Sequence, residues 1–214
     1  GVVRGDVVAL QLTKRPETYA LMLACLRLGS IYVCLDPKNP AERTLRIVER
    51  VQPKVLFCET PLLDVQLKTI GVRDPEFDAS TWPAAIAEID PADESDGSTP
   101  AYLMFTSGST GEPKGAVMPQ MGVLSLMEWG KSLLAPVEDQ RFTGINPLHF
   151  DNSVFDFYCG LMNGATLIPI ETSELTNPLE WVRIATDRRA TVFFAVPTLF
   201  LLLQKIAAPT PQSL

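Results

Sequence analysis

Segments of two kinds alternate along this chain, and that alternation constrains its fold more than any other feature. `VVALQL` (Val7 to Leu12) suits a buried strand. `PETYALMLACLRLG` opens on a proline and closes on Gly29, the asymmetry of a helix whose first turn needs no donor and whose end needs a left-handed residue. `IYVCL` follows as a strand. Pro40 introduces `AERTLRIVERV`, in which Leu45, Val48 and Val51 recur at helical spacing, and Pro53 closes it before the strand `VLFC`. From Gly71 to Thr99 the pattern weakens into Asp, Pro and Ser-rich text ending in `DESDGSTP`, a solvated connector. The alternation then resumes with `AYLMF` as strand, `GVLSLMEWGKSLL` as helix and `RFTGIN` as strand. `SVFDFYCGLMNG` reads as a helix stopped by Gly164, `ATLIPI` as a strand, `PLEWVRIATDRR` as a helix, `TVFFAV` as a strand and `TLFLLLQKI` as a helix. Strands separated by helices imply an α/β fold with predominantly parallel sheets flanked by helices. The connector divides it into 1–99 and 100–214.

Composition narrows the partners. A chain of 214 residues with 46% hydrophobic content can bury a core, and a formal charge of -7 leaves no basic excess for nucleic acid. Cys25, Cys34, Cys58 and Cys159 lie in apolar contexts without a C-x-x-C pair, and His149 is the single histidine, so buried thiols in a reducing compartment are expected rather than a zinc site. The longest apolar run, Val192 to Leu203, contains Pro197 and falls short of the roughly 20 residues of a membrane-spanning helix. No signal peptide is visible, and the expected location is cytoplasmic, away from membranes.

One stretch breaks the pattern. In `YLMFTSGSTGEPKGAV` an apolar run gives way to `TSGSTGEPKG`, with three glycines, four hydroxyls and Lys114. Glycines permit close backbone approach, and successive N–H groups with hydroxyl and ammonium donors make a nest for an anion, of which phosphate is the natural one. A flexible surface connector would share the composition, but this loop follows a strand directly, and Pro113 stiffens the approach to the lysine. It is not a Walker A loop, because Lys114 precedes Gly115 instead of Ser or Thr.

`YLMFTSGSTGEPKG` resembles the phosphate-binding signature of the adenylate-forming superfamily, which includes acyl-CoA synthetases, luciferases and the amino-acid adenylation domains of nonribosomal peptide synthetases. `GVVRGDVVAL`, `LACLRLGSIYVCLDPKNPAER` and `HFDNSVFD` agree with that family in order and spacing, the last resembling its F-D-x-S signature. The resemblance is greatest to the amino-acid adenylation domains. It implies a part of the layered α/β N-terminal domain of adenylate-forming enzymes, without their C-terminal lid domain. The activity implied is ATP-dependent formation of an aminoacyl-adenylate, with Mg2+, followed by transfer to the phosphopantetheine thiol of a carrier protein. Thr106, Ser107, Gly108, Ser109, Thr110, Gly111 and Lys114 would cradle the β and γ phosphates.

In the same resemblance Asp151 pairs with the substrate's α-ammonium group, beside Phe150, while Asn152, Phe155 and Phe194 line the side-chain pocket. Read from position alone, Asp151 is equally a helix cap. The two phenylalanines fit an apolar, branched aliphatic side chain and are equally ordinary core residues. Asp156 is expected to be structural or exposed, and His149 a polar residue at a strand end with a backbone partner; `PLHF` also faintly echoes the acyl-CoA ligases. Gln120 stands where many relatives carry histidine. The family's catalytic lysine belongs to the C-terminal domain, and no metal ligands can be assigned. The 214 residues alone are expected not to complete a catalytic cycle. The alternatives are an acyl- or aryl-CoA ligase, or a non-catalytic nucleotide-binding module.

Overall fold

The computed structural model describes residues 1–60, 67–72, 74, 77–78, 80, 96–106, 113–134, 136–171 and 177–207. These fall into two compact units, Gly1–Ser125 and Leu126–Leu214. The connector between 1–99 and 100–214 lies inside the first of them.

The first unit is built on a six-stranded sheet. Its strands are β1 (Val7–Gln11), β2 (Ile31–Cys34), β3 (Val55–Cys58), β4 (Thr69–Gly71), β5 (Pro100–Thr106) and β6 (Lys114–Pro119). They run in the order β4-β3-β1-β2-β5-β6. The first five pair in parallel and β6 pairs antiparallel with β5. β4 and β6 were not legible as strands: β4 is three residues long, and β6 begins inside the polar break.

Two helices cover the faces of this sheet. α1 (Pro16–Leu28) starts on its proline and ends at Gly29, whose φ of 68° is the left-handed conformation that glycine adopts without strain. α2 (Ala41–Val51) ends differently from expectation. Gln52, not Pro53, makes the stop, taking φ 45° and donating its N–H to the Val48 carbonyl. Ile47 and Val48 of α2 join Ala9, Val33, Leu35, Leu56 and Cys58 in one apolar cluster. The pleat sends alternate residues to the opposite face, where Cys34 neighbours Cys25 of α1. A parallel sheet covered on both sides reads as continuous apolar runs, which is why `VVALQ` and `VLFC` show no alternation.

α3 (Gln120–Leu133) carries the boundary between the units. The second unit contains a parallel pair, β7 (Arg141–Gly144) and β8 (Thr166–Pro169), with α5 (Pro178–Asp187) and α6 (Pro197–Ala207). Asn177 caps α5 by accepting from the Leu179 N–H at 3.0 Å. Two expectations change here. `TVFFAV` is not a full strand: Val192 forms a single parallel bridge with Phe142, and the remainder leaves the ladder before Pro197, which cannot donate to one. `SVFDFYCGLMNG` is helical but not uniformly α. A short α4 (Asn152–Val154) widens into a π-helical turn, Phe155–Gly160, and tightens into a 3-10 turn, Leu161–Asn163, before Gly164 at φ 95°.

The widened turn is closely packed. Gly130 of α3 lies so near Cys159 that an added Cβ would stand 2.6 Å from the cysteine Cβ, and one on Gly160 would stand 2.9 Å from the Phe142 ring. The segment is pressed on both sides, and its residues Phe155 to Gly160 are all buried.

Candidate functional site

Of the expected phosphate-binding residues, Thr106 and Lys114 lie on the paired strands β5 and β6. Thr106 ends β5, Lys114 begins β6, and the two are register partners across the antiparallel pair, so the loop between them leaves and returns at adjacent points. Both side chains are exposed. Behind them Phe105 pairs with Gly115, where an added Cβ would stand 3.1 Å from the ring; the glycine admits the aromatic that anchors the hairpin to the first unit's core. Ser107, Gly108, Ser109, Thr110 and Gly111 lie outside the described residues. Gln120, the first residue of α3, donates its backbone N–H to the Thr99 carbonyl at 2.9 Å.

The second unit contains a cleft of about 520 Å³. Ile145, Asn146 and Pro147 leave β7 along one side; Phe150, Asp151 and Asn152 follow; Trp181 comes from α5; and Ala195, Val196, Thr198 and Leu199 bring in the start of α6. The lining is largely apolar with a few polar groups, the usual composition of a small-molecule site. Asp151 does not cap the helix it precedes: its own φ and ψ are already helical and its side chain makes no capping bond. Its carboxylate stands exposed on the cleft wall.

Of the predicted pocket residues, Phe150, Asp151 and Asn152 come together at the cleft. Phe155 and Phe194 do not line it. They pack on one another at 4.4 Å between ring centroids, with Phe142 at 5.7 Å and Trp129 at 6.0 Å from Phe155, as part of the core of the second unit. The His149 ring, half-buried, lies 4.7 Å from that of Phe150.

Sequence reasoning passed over Asn146 and Trp181 and set Asp156 aside. Asp156 is 3% exposed, and its Oδ2 accepts from Asn146 Nδ2 at 3.0 Å. The same nitrogen donates to the Phe194 carbonyl at 2.8 Å. The available signal was Asn146 at a strand end, followed by a proline. Ser153 Oγ donates to the Phe150 and Leu148 carbonyls at 2.7 and 3.2 Å, holding the turn that presents Asp151.

None of the four cysteines is in a disulfide, and all are buried. Burial, then the neighbouring Cys25, pushes the Cys34 thiol up from 9.0 to about 12. Burial also raises Cys25 to about 11, against a hydrogen bond with Ser30, and burial and then Asp156 raise Cys159 to about 11. These are inert thiols, unlike the lowered ones of reactive sites. Among the described residues no group of three or more His, Cys, Asp or Glu converges on a metal position, and no helix is long and apolar enough to cross a membrane.

A mostly parallel sheet with helices on both faces and a largely apolar cleft define an α/β protein with room for a small molecule. The sequence matches the AMP-binding enzyme family over residues 1–213, and the chain belongs to that family. It is 28% identical over 219 residues to an L-proline--[L-prolyl-carrier protein] ligase of Pseudomonas fluorescens, covering 96% of this chain and 43% of that protein. It is 26% identical over 203 residues to a dimodular nonribosomal peptide synthase of Bacillus subtilis, covering 94% of this chain and 8% of the synthase. The chain thus spans less than half the length of these two relatives. Among solved structures, the N-terminal subdomain of Klebsiella oxytoca NpsA in complex with 3-hydroxybenzoyl-AMSN superposes with a TM-score of 0.83 at 21% identity, over 96% of this chain and 51% of that one. The mostly parallel sheet with flanking helices is therefore the fold of an N-terminal adenylation subdomain.

Proposed function

We propose that this chain supplies the phosphate-holding and acid-holding parts of an ATP-dependent ligase that activates an amino acid and passes it to the phosphopantetheine thiol of a carrier protein. The observation that carries the reading is Asp151, an exposed carboxylate on a largely apolar wall that is not used to cap its helix. A substrate ammonium entering that cleft needs an anionic partner, because an unpaired charge there is costly. The relatives that act on prolyl-carrier protein and in nonribosomal synthesis support the same substrate class.

The hairpin would hold the phosphates of a nucleoside triphosphate. Thr106 and Lys114 present a hydroxyl and an ammonium at its mouth, and Ser107, Gly108, Ser109, Thr110 and Gly111 would add donors around the β and γ phosphates. Bound ATP supplies the electrophilic α-phosphorus and the pyrophosphate leaving group. The substrate carboxylate oxygen forms the new bond to that phosphorus as the bond to pyrophosphate breaks, and Lys114 and the hydroxyls disperse the charge that departs. Mg2+ would accompany the bound triphosphate and neutralise part of its charge, as it does in many nucleotide sites. The expected apolar side-chain pocket is the cleft itself, with Phe150 and Asn152 at its rim, while Phe155 and Phe194 would shape it from beneath.

The test is ATP–pyrophosphate exchange by the full-length protein with amino acids and with matched acids lacking the amine. Exchange confined to amino acids, reduced at least about a hundredfold in Asp151→Ala, is the expected result. Equal exchange by Asp151→Ala, or exchange with the amine-free acids, moves the protein to the acyl or aryl ligases. Nucleotide binding without exchange for any acid would make it a binding module.

A further inference from the structure

We propose that Asp156 is a positioning residue for the acid cleft: by holding the Asn146 amide it fixes the 194–196 wall against which the acid docks. The inference rests on the ligase reading above and adds a residue to it.

On the side away from β8, β7 has only a short partner. Residues 191 and 192 run beside it, with Thr143 N–H donating to the Val192 carbonyl at 3.0 Å and Val192 N–H to the Arg141 carbonyl at 3.2 Å. Past that bridge the backbone pairing ends. The Phe194 carbonyl accepts from the side chain of Asn146. An amide nitrogen has two hydrogens, and here both are used, one on Phe194 O and the other on Asp156 Oδ2. Turning that amide over would aim its oxygen at two acceptors, so Asp156 sets which way it points. Both side chains are buried, Asn146 at 7% and Asp156 at 3% exposure, where such a bond is not exchanged for water at little cost.

The cleft side of this link is explicit. Asn146, Ala195 and Val196 line the cavity, and Asp156 does not. Asp156 therefore acts through Asn146. It sits on the π-helical turn that follows Asp151 in the same helical segment, a local geometry that recurs at functional sites. One segment thus carries the proposed ammonium partner and the residue that anchors the 194–196 wall.

The test uses the full-length protein and whichever of L-proline, L-valine, L-leucine and L-phenylalanine gives the fastest exchange. Asp156→Ala is expected to raise KM for that amino acid about tenfold or more while KM for ATP stays within about twofold, and Asp156→Asn, whose amide oxygen still accepts from Asn146, to return within about threefold of the unaltered protein. Unchanged KM values, or a rise in both together with a lowered melting midpoint, would leave Asp156 a stability residue and overturn the proposal. A second readout does not depend on activity or on that alanine variant folding: hydrogen exchange at the amides of Ala195 and Val196. It should speed up at least about tenfold in Asn146→Asp, which keeps the volume and removes the donor, and unchanged protection there overturns the proposal. An unaltered protein inert with all four amino acids would count against the ligase reading, and the exchange measurement at Ala195 and Val196 would still decide the role of the link.

Discussion

Lys114 and the buried thiols make opposite demands on their surroundings. Lys114 begins an edge strand with its side chain in solvent. Replacing it with alanine is expected to leave stability within about 0.5 kcal/mol and to cut exchange activity about 10- to 100-fold whichever acid is used, measured as kcat/KM for ATP. Cys34 and Cys25 lie in the interior, and folding holds their protons on. Their folded values of about 12 and about 11 exceed the unfolded 9.0, so between those pH values the unfolded chain has lost protons that the folded chain retains. Stability is therefore independent of these thiols below about pH 9 and falls as pH rises to about 12, by about 1.4 kcal/mol per pH unit for each thiol over its own window. Denaturant midpoints from pH 8 to 11 would show it, and a Cys34→Ser variant should slope less steeply. Burial of the cysteines was legible from their apolar neighbours. The role of Asn146 was not, because an asparagine after a strand reads as an ordinary turn residue until the Phe194 carbonyl is placed beside it.

Helix ends and crossings carry the predictions at the scale of elements. Gln52 holds a left-handed conformation that glycine would adopt without strain, and Gln52→Gly should stabilise the protein by about 0.5–1 kcal/mol in denaturant titrations. Gly130→Ala should do the reverse, since its methyl would meet the Cβ of Cys159; a loss of about 1–3 kcal/mol is expected, larger than for alanine at exposed Gly122 on the same helix. Elements defined by proline, glycine and a long apolar period, such as α1 and α5, could be read directly from the chain. The failures share a cause. β6, the widened turn at Phe155–Gly160 and the lone bridge at Val192 are set by what packs beside them: Phe105 against Gly115, Gly130 and Phe142 against Cys159 and Gly160, and a ladder that ends before a proline. Local periodicity carries no trace of such neighbours.

At the scale of the molecule, the two compact units have separate cores, one around Ala9, Val33 and Leu56 and the other around Phe142, Phe155 and Cys159. Leu56→Ala, a cavity in the first, should cost about 2–5 kcal/mol and speed hydrogen exchange in β1 to β3 more than in β7 and β8. The hairpin between β5 and β6 has a further consequence, for heredity rather than for chemistry. Because Thr106 and Lys114 are register partners, the strands fix where the intervening residues begin and end, and chain closure varies only slowly with loop length, by about 0.6 kcal/mol per doubling. Closing the chain between the two strands therefore depends little on how many residues lie there. On the proposed reading those residues answer to how well phosphate is held, so ligand fit rather than chain closure would decide which substitutions are kept.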